Sequence, residues 1–76
     1  MDVDITYCVP CEFLDRAIEV QRHLLETFGA QLDEVSLVTG DHGVFRVEAG
    51  DETLYDKHEH GEYDPDELAR QLRTRL

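Results

Sequence analysis

The chain has a single lysine, Lys57, to set against eighteen acidic residues, and it has only two prolines, two cysteines and no tryptophan. Each scarcity excludes something. With seven basic residues in all and a formal net charge of −11, no basic patch is available to meet phosphates, so nucleic acid is not an expected partner. No apolar run approaches the ~20 residues that cross a bilayer, so no membrane partner is expected either. The opening Met1-Asp2-Val3-Asp4 has neither the basic region nor the apolar segment of a secretory signal, and the expected location is cytoplasmic. In that compartment two cysteines point to catalysis or metal binding rather than to a structural staple.

What is present suits one small domain over residues 1–76. Hydrophobic residues make up 41% of the chain, enough for a modest core and too many for a disordered segment. The carboxylates are scattered rather than gathered in a tail. An acidic, lysine-poor composition spread over a foldable pattern resembles the proteins of salt-loving organisms.

Apolar residues alternate from about Val3 to Tyr7, as in a half-buried strand. A helix is predicted from near Cys11, with Phe13, Leu14, Ala17, Ile18, Val20, Leu24, Leu25 and Phe28 on a broad stripe and Gly29 ending it. Second and third strands are predicted over Glu34 to Thr39 and Val44 to Ala49, joined by the turn residues Gly40-Asp41-His42-Gly43. Gly50-Asp51 marks a hairpin into a fourth strand, Thr53 to Lys57, followed by a polar loop from His58 to Tyr63. Asp64-Pro65-Asp66-Glu67 reads as a helix start, with Asp as cap, Pro at the first position and Glu three residues after the cap. That helix is predicted to run to the end with Leu68, Leu72 and Leu76 on one stripe. The order is β-α-β-β-β-α. The first β-α-β unit should be right-handed and parallel, and the next two strands an antiparallel hairpin.

The cysteines stand in Tyr7-Cys8-Val9-Pro10-Cys11, a C-x-x-C motif between the first strand and the first helix. Disulfide exchange needs an accessible, partly ionised thiol and a second thiol close enough to release a mixed disulfide. A helix N-terminus favours the thiolate, whereas the carboxylates of Glu12 and Asp15 oppose it. By position Cys8 is the expected exposed thiol and Cys11 the buried, resolving one. The rival reading is a zinc site of Cys8 and Cys11 with two of His42, His58 and His60.

Together with Gly43-Val44-Phe45-Arg46-Val47, Leu54, Lys57 and Gly61-Glu62-Tyr63, the motif resembles the selenoprotein W-like (Rdx) family over essentially the whole chain. The resemblance implies a thioredoxin-like α/β fold, a four-stranded mixed sheet of order 2-1-3-4 with two helices. It also implies thiol–disulfide oxidoreductase activity carried by Cys8 and Cys11, with no bound cofactor and no metal. In that family the second motif position is often selenocysteine; here it is Cys11, which leaves open the sulfur that attacks first. A low-molecular-weight thiol or a protein disulfide is the expected partner, and the chain is expected to be a monomer. The alternative is a non-catalytic interaction or zinc-binding module on the same fold.

Thioredoxins hold a cis-proline against their active site, and neither Pro10 nor Pro65 can serve. With the sheet order that the family implies, the 40–43 loop should take that place, Gly43 allowing close backbone approach; His42 is the histidine with a simple route to the thiols, although a solvent-facing His42 is the expected case. Val9, Pro10 and Phe13 complete the expected site lining.

Repulsion among carboxylates at a net charge of −11 is relieved by screening. The melting temperature should therefore rise as potassium chloride goes from millimolar to molar; a flat or falling curve would contradict this account of the charge.

Overall fold

The computed structural model describes residues 1–61 and 64–76. Glu62 and Tyr63, in the family-like Gly61-Glu62-Tyr63 segment and the last polar loop, lie outside the described residues. The elements are β1 (Asp2–Cys8), α1 (Leu14–Phe28), β2 (Glu34–Gly40), β3 (Phe45–Ala49), β4 (Glu52–Asp56), a one-turn helix α2 (Lys57–His60) and α3 (Pro65–Arg73), with a 3-10 turn over Gly29–Gln31.

The sheet order is β2-β1-β3-β4. β1 runs parallel to β2 and antiparallel to β3. In register, Ile5 lies beside Leu37 and Val47, and Tyr7 beside Thr39 and Phe45. Alternate side chains of a strand point to opposite faces, so Val3, Ile5, Tyr7, Val35, Phe45, Val47 and Ala49 share one face, and all seven are buried. Asp2, Asp4, Glu34 and Val38 fall on the other face and are exposed. α1 packs on β1 and β2, while α3 packs on β4 and on α1. Both helices therefore share one face of the sheet, and a single core lies between the two layers.

The centre of that core is Phe45, fully buried, with Phe13 and Tyr55 meeting it edge-on at centroid distances of 6.1 and 6.2 Å. Burial of a side chain of this size contributes about 1.5–3 kcal/mol. Leu54 and Tyr55 are both buried although they are consecutive. A register shift in the β3–β4 ladder at Val47/Glu48 makes this possible, since a bulge lets two neighbours escape strict alternation.

The element order and sheet order are those expected from the sequence, with four differences. First, α1 begins at Leu14, not near Cys11. Residues 9–12 form turns, and Glu12 adopts φ 61°, left-handed backbone that no α-helix can include. Second, the stripe of α1 divides: Ala17, Val20, Leu24 and Phe28 are buried, whereas Leu14, Ile18 and Leu25 are exposed. Third, the polar loop opens with α2. Asp56 caps it, its carboxylate accepting the His58 N–H at 2.9 Å, and the Asp56 N–H donates to His60 Nδ1 at 2.9 Å. Fourth, α3 starts as expected, with Asp64 accepting from the N–H groups of Asp66 and Glu67, but it ends at Arg73. Thr74 turns back on Gln71 and Leu76 is exposed rather than part of the buried stripe.

Candidate functional site

The end of β1 is held from both flanks. The Cys8 N–H donates to the carbonyl of Val44 at 2.8 Å, and the Val9 N–H donates to the carbonyl of Gly40 at 3.1 Å. The loop between β2 and β3 thus reaches the C-x-x-C segment by direct main-chain bonds at both of its ends. Beyond Val9 the chain folds back on itself. Glu12 N–H meets the Val9 carbonyl at 3.2 Å and Phe13 N–H meets the Cys8 carbonyl at 3.4 Å. This closed turn brings Cys8 and Cys11 into a disulfide, with their Cα atoms 5.3 Å apart, inside the range such bonds require.

The two cysteines are buried unequally. Cys8 is 0% exposed, while Cys11 is exposed, as are Val9, Pro10 and Glu12 around it. This reverses the expected order. Cys8 is the last residue of a central strand with a neighbour on each side, and Cys11 stands on a turn that projects from the sheet. Periodicity placed Cys11 inside a helix; the left-handed Glu12 keeps it out.

The glycine that permits the close approach is Gly40, not Gly43. Gly40 lies beside Cys8 in the register, and a Cβ added to it would stand 2.7 Å from Val44 Cγ1 and 3.2 Å from Thr6 Cγ2. Gly43 has room for a side chain, with only His58 Cε1 at 4.0 Å, and is needed for its φ of +75° instead. His42 also takes left-handed backbone, φ 57°. Its side chain is 91% exposed, with Nε2 3.6 Å from the Asp41 carboxylate. His42 thus faces solvent, the case expected from the sequence, and does not take the route toward the thiols that its position offers. His58 is the histidine that comes up against the loop, carried there by α2.

Phe13 is half-buried and marks a cationic corner that the sequence did not reveal. Arg16 stands over its ring at 5.1 Å and Lys57 at 5.6 Å. Such contacts contribute about 0.5–1 kcal/mol each where exposed. The only lysine of a chain with formal charge −11 is thus placed beside the residue that links the C-x-x-C turn to α1. No side chain caps α1 at Phe13, so the positive end of that helix faces the same turn. These cations oppose the nearby carboxylates of Glu12 and Asp15. Beneath the corner, Tyr55 donates its hydroxyl to the Gly61 carbonyl. Burial raises its phenol above the ordinary tyrosine value, with Arg16 opposing and Asp56 adding to the rise.

On the other side of the turn is an open cleft of about 450 Å³ lined by Tyr7, Val9, Glu12, Leu14 and Asp15. Its lining combines apolar Val9 and Leu14 with the acidic Glu12 and Asp15. Sequence periodicity assigned Leu14 to the core, which hid its place in this cleft. Among the described residues no group of three or more His, Cys, Asp or Glu side chains is gathered as a metal site. His42, His58 and His60 do not join the cysteines.

A mixed sheet of order β2-β1-β3-β4, with a C-x-x-C turn leaving the end of β1 toward a helix, defines a thioredoxin-like fold. The chain belongs to the Rdx family, whose family model matches residues 2–74. It is 38% identical to a protein of Bordetella parapertussis of known crystal structure, with a TM-score of 0.95 over 99% of this chain and 96% of that one. A selenoprotein W-related protein from Vibrio cholerae, 22% identical, has the same fold, with a TM-score of 0.92 over 96% of this chain and 92% of that one. No curated protein matches the chain.

The close contact at Gly40 makes a specific expectation. Gly40→Ala should destabilise the protein by about 1–3 kcal/mol through overpacking, and Val44→Ala should recover most of that loss in the double variant. Gly43→Ala should cost about 1–2 kcal/mol from its backbone conformation, with no recovery by Val44→Ala. Denaturant unfolding at high salt reads all four variants. Equal behaviour of the two glycines toward Val44→Ala would contradict the assignment.

Proposed function

We propose that the protein is a thiol–disulfide oxidoreductase of the selenoprotein W-like type, in which Cys11 is the attacking sulfur and Cys8 the resolving one. The observation that carries this reading is the unequal burial of two cysteines that are close enough to bond. An attacking thiolate must reach a substrate sulfur along the bond it will break, so it must be open. A resolving thiol has only to reach its neighbour. The family's frequent use of selenocysteine at the second motif position supports the same order.

In the reducing direction, the Cys11 thiolate attacks one sulfur of a substrate disulfide. A Cys11–substrate bond forms, and the other substrate sulfur leaves as a thiolate. The Cys8 thiolate then attacks Cys11 Sγ, forming the Cys8–Cys11 disulfide and releasing the second substrate sulfur. Two electrons pass from the dithiol to the substrate, and the thiol protons pass through solvent to the leaving thiolates. An external thiol restores the dithiol by the reverse exchange. The positive end of α1 and the cations at Phe13 favour the thiolate form. No step calls for a cofactor. The substrate is a low-molecular-weight thiol's disulfide or a protein disulfide, reached in a reducing cytoplasm. The acidic, lysine-poor surface suits a high-salt interior.

Two measurements test this together. Oxidation should remove two hydrogens per chain by mass spectrometry, reversed by dithiothreitol. Cys8→Ala, chosen because a serine hydroxyl would be left unpaired at this buried position, should hold substrates on Cys11 as stable mixed disulfides in cells. Cys11→Ser should trap at least an order of magnitude less. Free thiols that persist after oxidation would remove the oxidoreductase reading; stronger trapping by Cys11→Ser would reverse the roles.

A further inference from the structure

The two edges of the sheet are treated very differently. β4 is five residues long, carries Glu52 and Asp56 at its ends, has the register shift beside it, and is packed by α2 and α3. Those are the devices that keep an edge from pairing. β2, the other edge, is seven residues long in unbroken register with β1 and reads Glu-Val-Ser-Leu-Val-Thr-Gly. One residue in three of this chain is charged, yet β2 holds a single charge, Glu34, at its first position. It has no proline, no lysine and no bulge.

Its hydrogen-bonding groups are also directed outward. The Gly40 carbonyl meets Val9, on the β1 side. Main-chain groups alternate along a strand, so Val35, Leu37 and Thr39 present their N–H and C=O groups to the open edge. The Val35 carbonyl receives Gln21 Nε2 at 2.8 Å, and a carbonyl can accept twice. That bond also fixes which flank of α1 stands beside β2. Gln21 lies on one helical stripe with Leu14, Ile18 and Leu25, the three apolar residues of α1 that are 45%, 41% and 43% exposed. An unblunted edge strand and an uncovered apolar stripe therefore lie side by side.

We propose that a second copy of this chain covers both, through antiparallel β2–β2 pairing about a two-fold axis at Leu37. Three features favour a second copy as the occupant. The register is self-complementary: with Leu37 opposite its own copy, Val35 meets Thr39 and Ser36 meets Val38. The outward groups at Val35, Leu37 and Thr39 then form hydrogen-bonded pairs. The one charge, Glu34, faces Gly40 rather than another carboxylate. Finally, β2 is a nearly neutral strip on a strongly acidic molecule; like charge meets only at its ends, where the register brings Asp33 opposite Asp41, and salt screens that repulsion. A perpendicular two-fold axis keeps both α1 helices on the same side, so the stripes of Leu14, Ile18 and Leu25 face each other above the joined sheets. This isologous pairing stands in place of the monomer expected from the sequence and takes in Leu14, which also lines the cleft beside the C-x-x-C turn.

Sedimentation equilibrium of the oxidised protein in molar potassium chloride, from micromolar to millimolar, should show a species of twice the 8.8 kDa chain mass. Its dissociation constant should fall as salt rises. Val38→Asp, at the edge, and Ile18→Asp, on the stripe, replace exposed residues and should each weaken the dimer at least tenfold. Their circular dichroism and disulfide formation should match wild type, which separates failure of this proposal from failure of the redox reading. Leu76→Asp, exposed elsewhere, should leave association unchanged. A wild type that stays monomeric throughout would overturn the proposal and leave the edge to a strand of another protein; a dimer untouched by both Val38→Asp and Ile18→Asp would overturn it as well.

Discussion

The site depends on the absence of one side chain. At Gly40 the sheet closes around the end of β1, with Val44 so near that a Cβ would collide with it and Thr6 near enough for a tight contact. That approach lets the 40–44 loop bond to Cys8 and Val9 at once. The end of β1 is thereby fixed on both flanks, and the Cys8 sulfur is enclosed. Cys8 therefore belongs to a strand held on both sides, while Cys11, turned outward by the left-handed backbone of Glu12, stands on an exposed turn.

The charge arrangement acts on the same corner. Arg16 and Lys57 converge on Phe13, and the uncapped end of α1 faces the turn. Against a background of −11, this local positive cluster lies beside the acidic Glu12 and Asp15 at the start of α1. Tyr55, Asp56 and His60 hold the short α2 helix that delivers Lys57 and His58. The core around Phe45 and the C-x-x-C turn are therefore joined through Phe13.

Much of this was legible in the sequence. Alternation placed β1 and β3, the Asp64-Pro65 pair placed α3, and Gly29 marked the end of α1. The C-x-x-C motif and the family resemblance placed the reactive turn and the sheet order. The sequence misled where a local backbone choice overrode periodicity. Glu12 in left-handed backbone shortened α1 and turned Cys11 outward, and glutamate gives no advance sign of that conformation. Glycine at both 40 and 43 gave no way to tell which one a close contact requires. The aromatic–cation corner was hidden because Lys57, far along the chain on α2, meets Phe13 and Arg16 only in the folded structure, where Phe13 rests against Phe45 of β3. The exposed half of the α1 stripe read as core because a helix's apolar width does not say how much of it a small sheet can cover.

Cys8 is enclosed and Cys11 exposed, and alkylation of the reduced protein tests directly whether their sulfurs differ in the same way. Fully reduced wild-type protein is exposed to limiting iodoacetamide in high-salt buffer at neutral pH, and the modified site is mapped by peptide mass spectrometry over time. Modification at Cys11 should precede modification at Cys8 by at least an order of magnitude in rate, because the thiolate must be both ionised and accessible to react. Equal rates, or faster labelling of Cys8, would contradict the assignment of Cys11 as the attacking thiol.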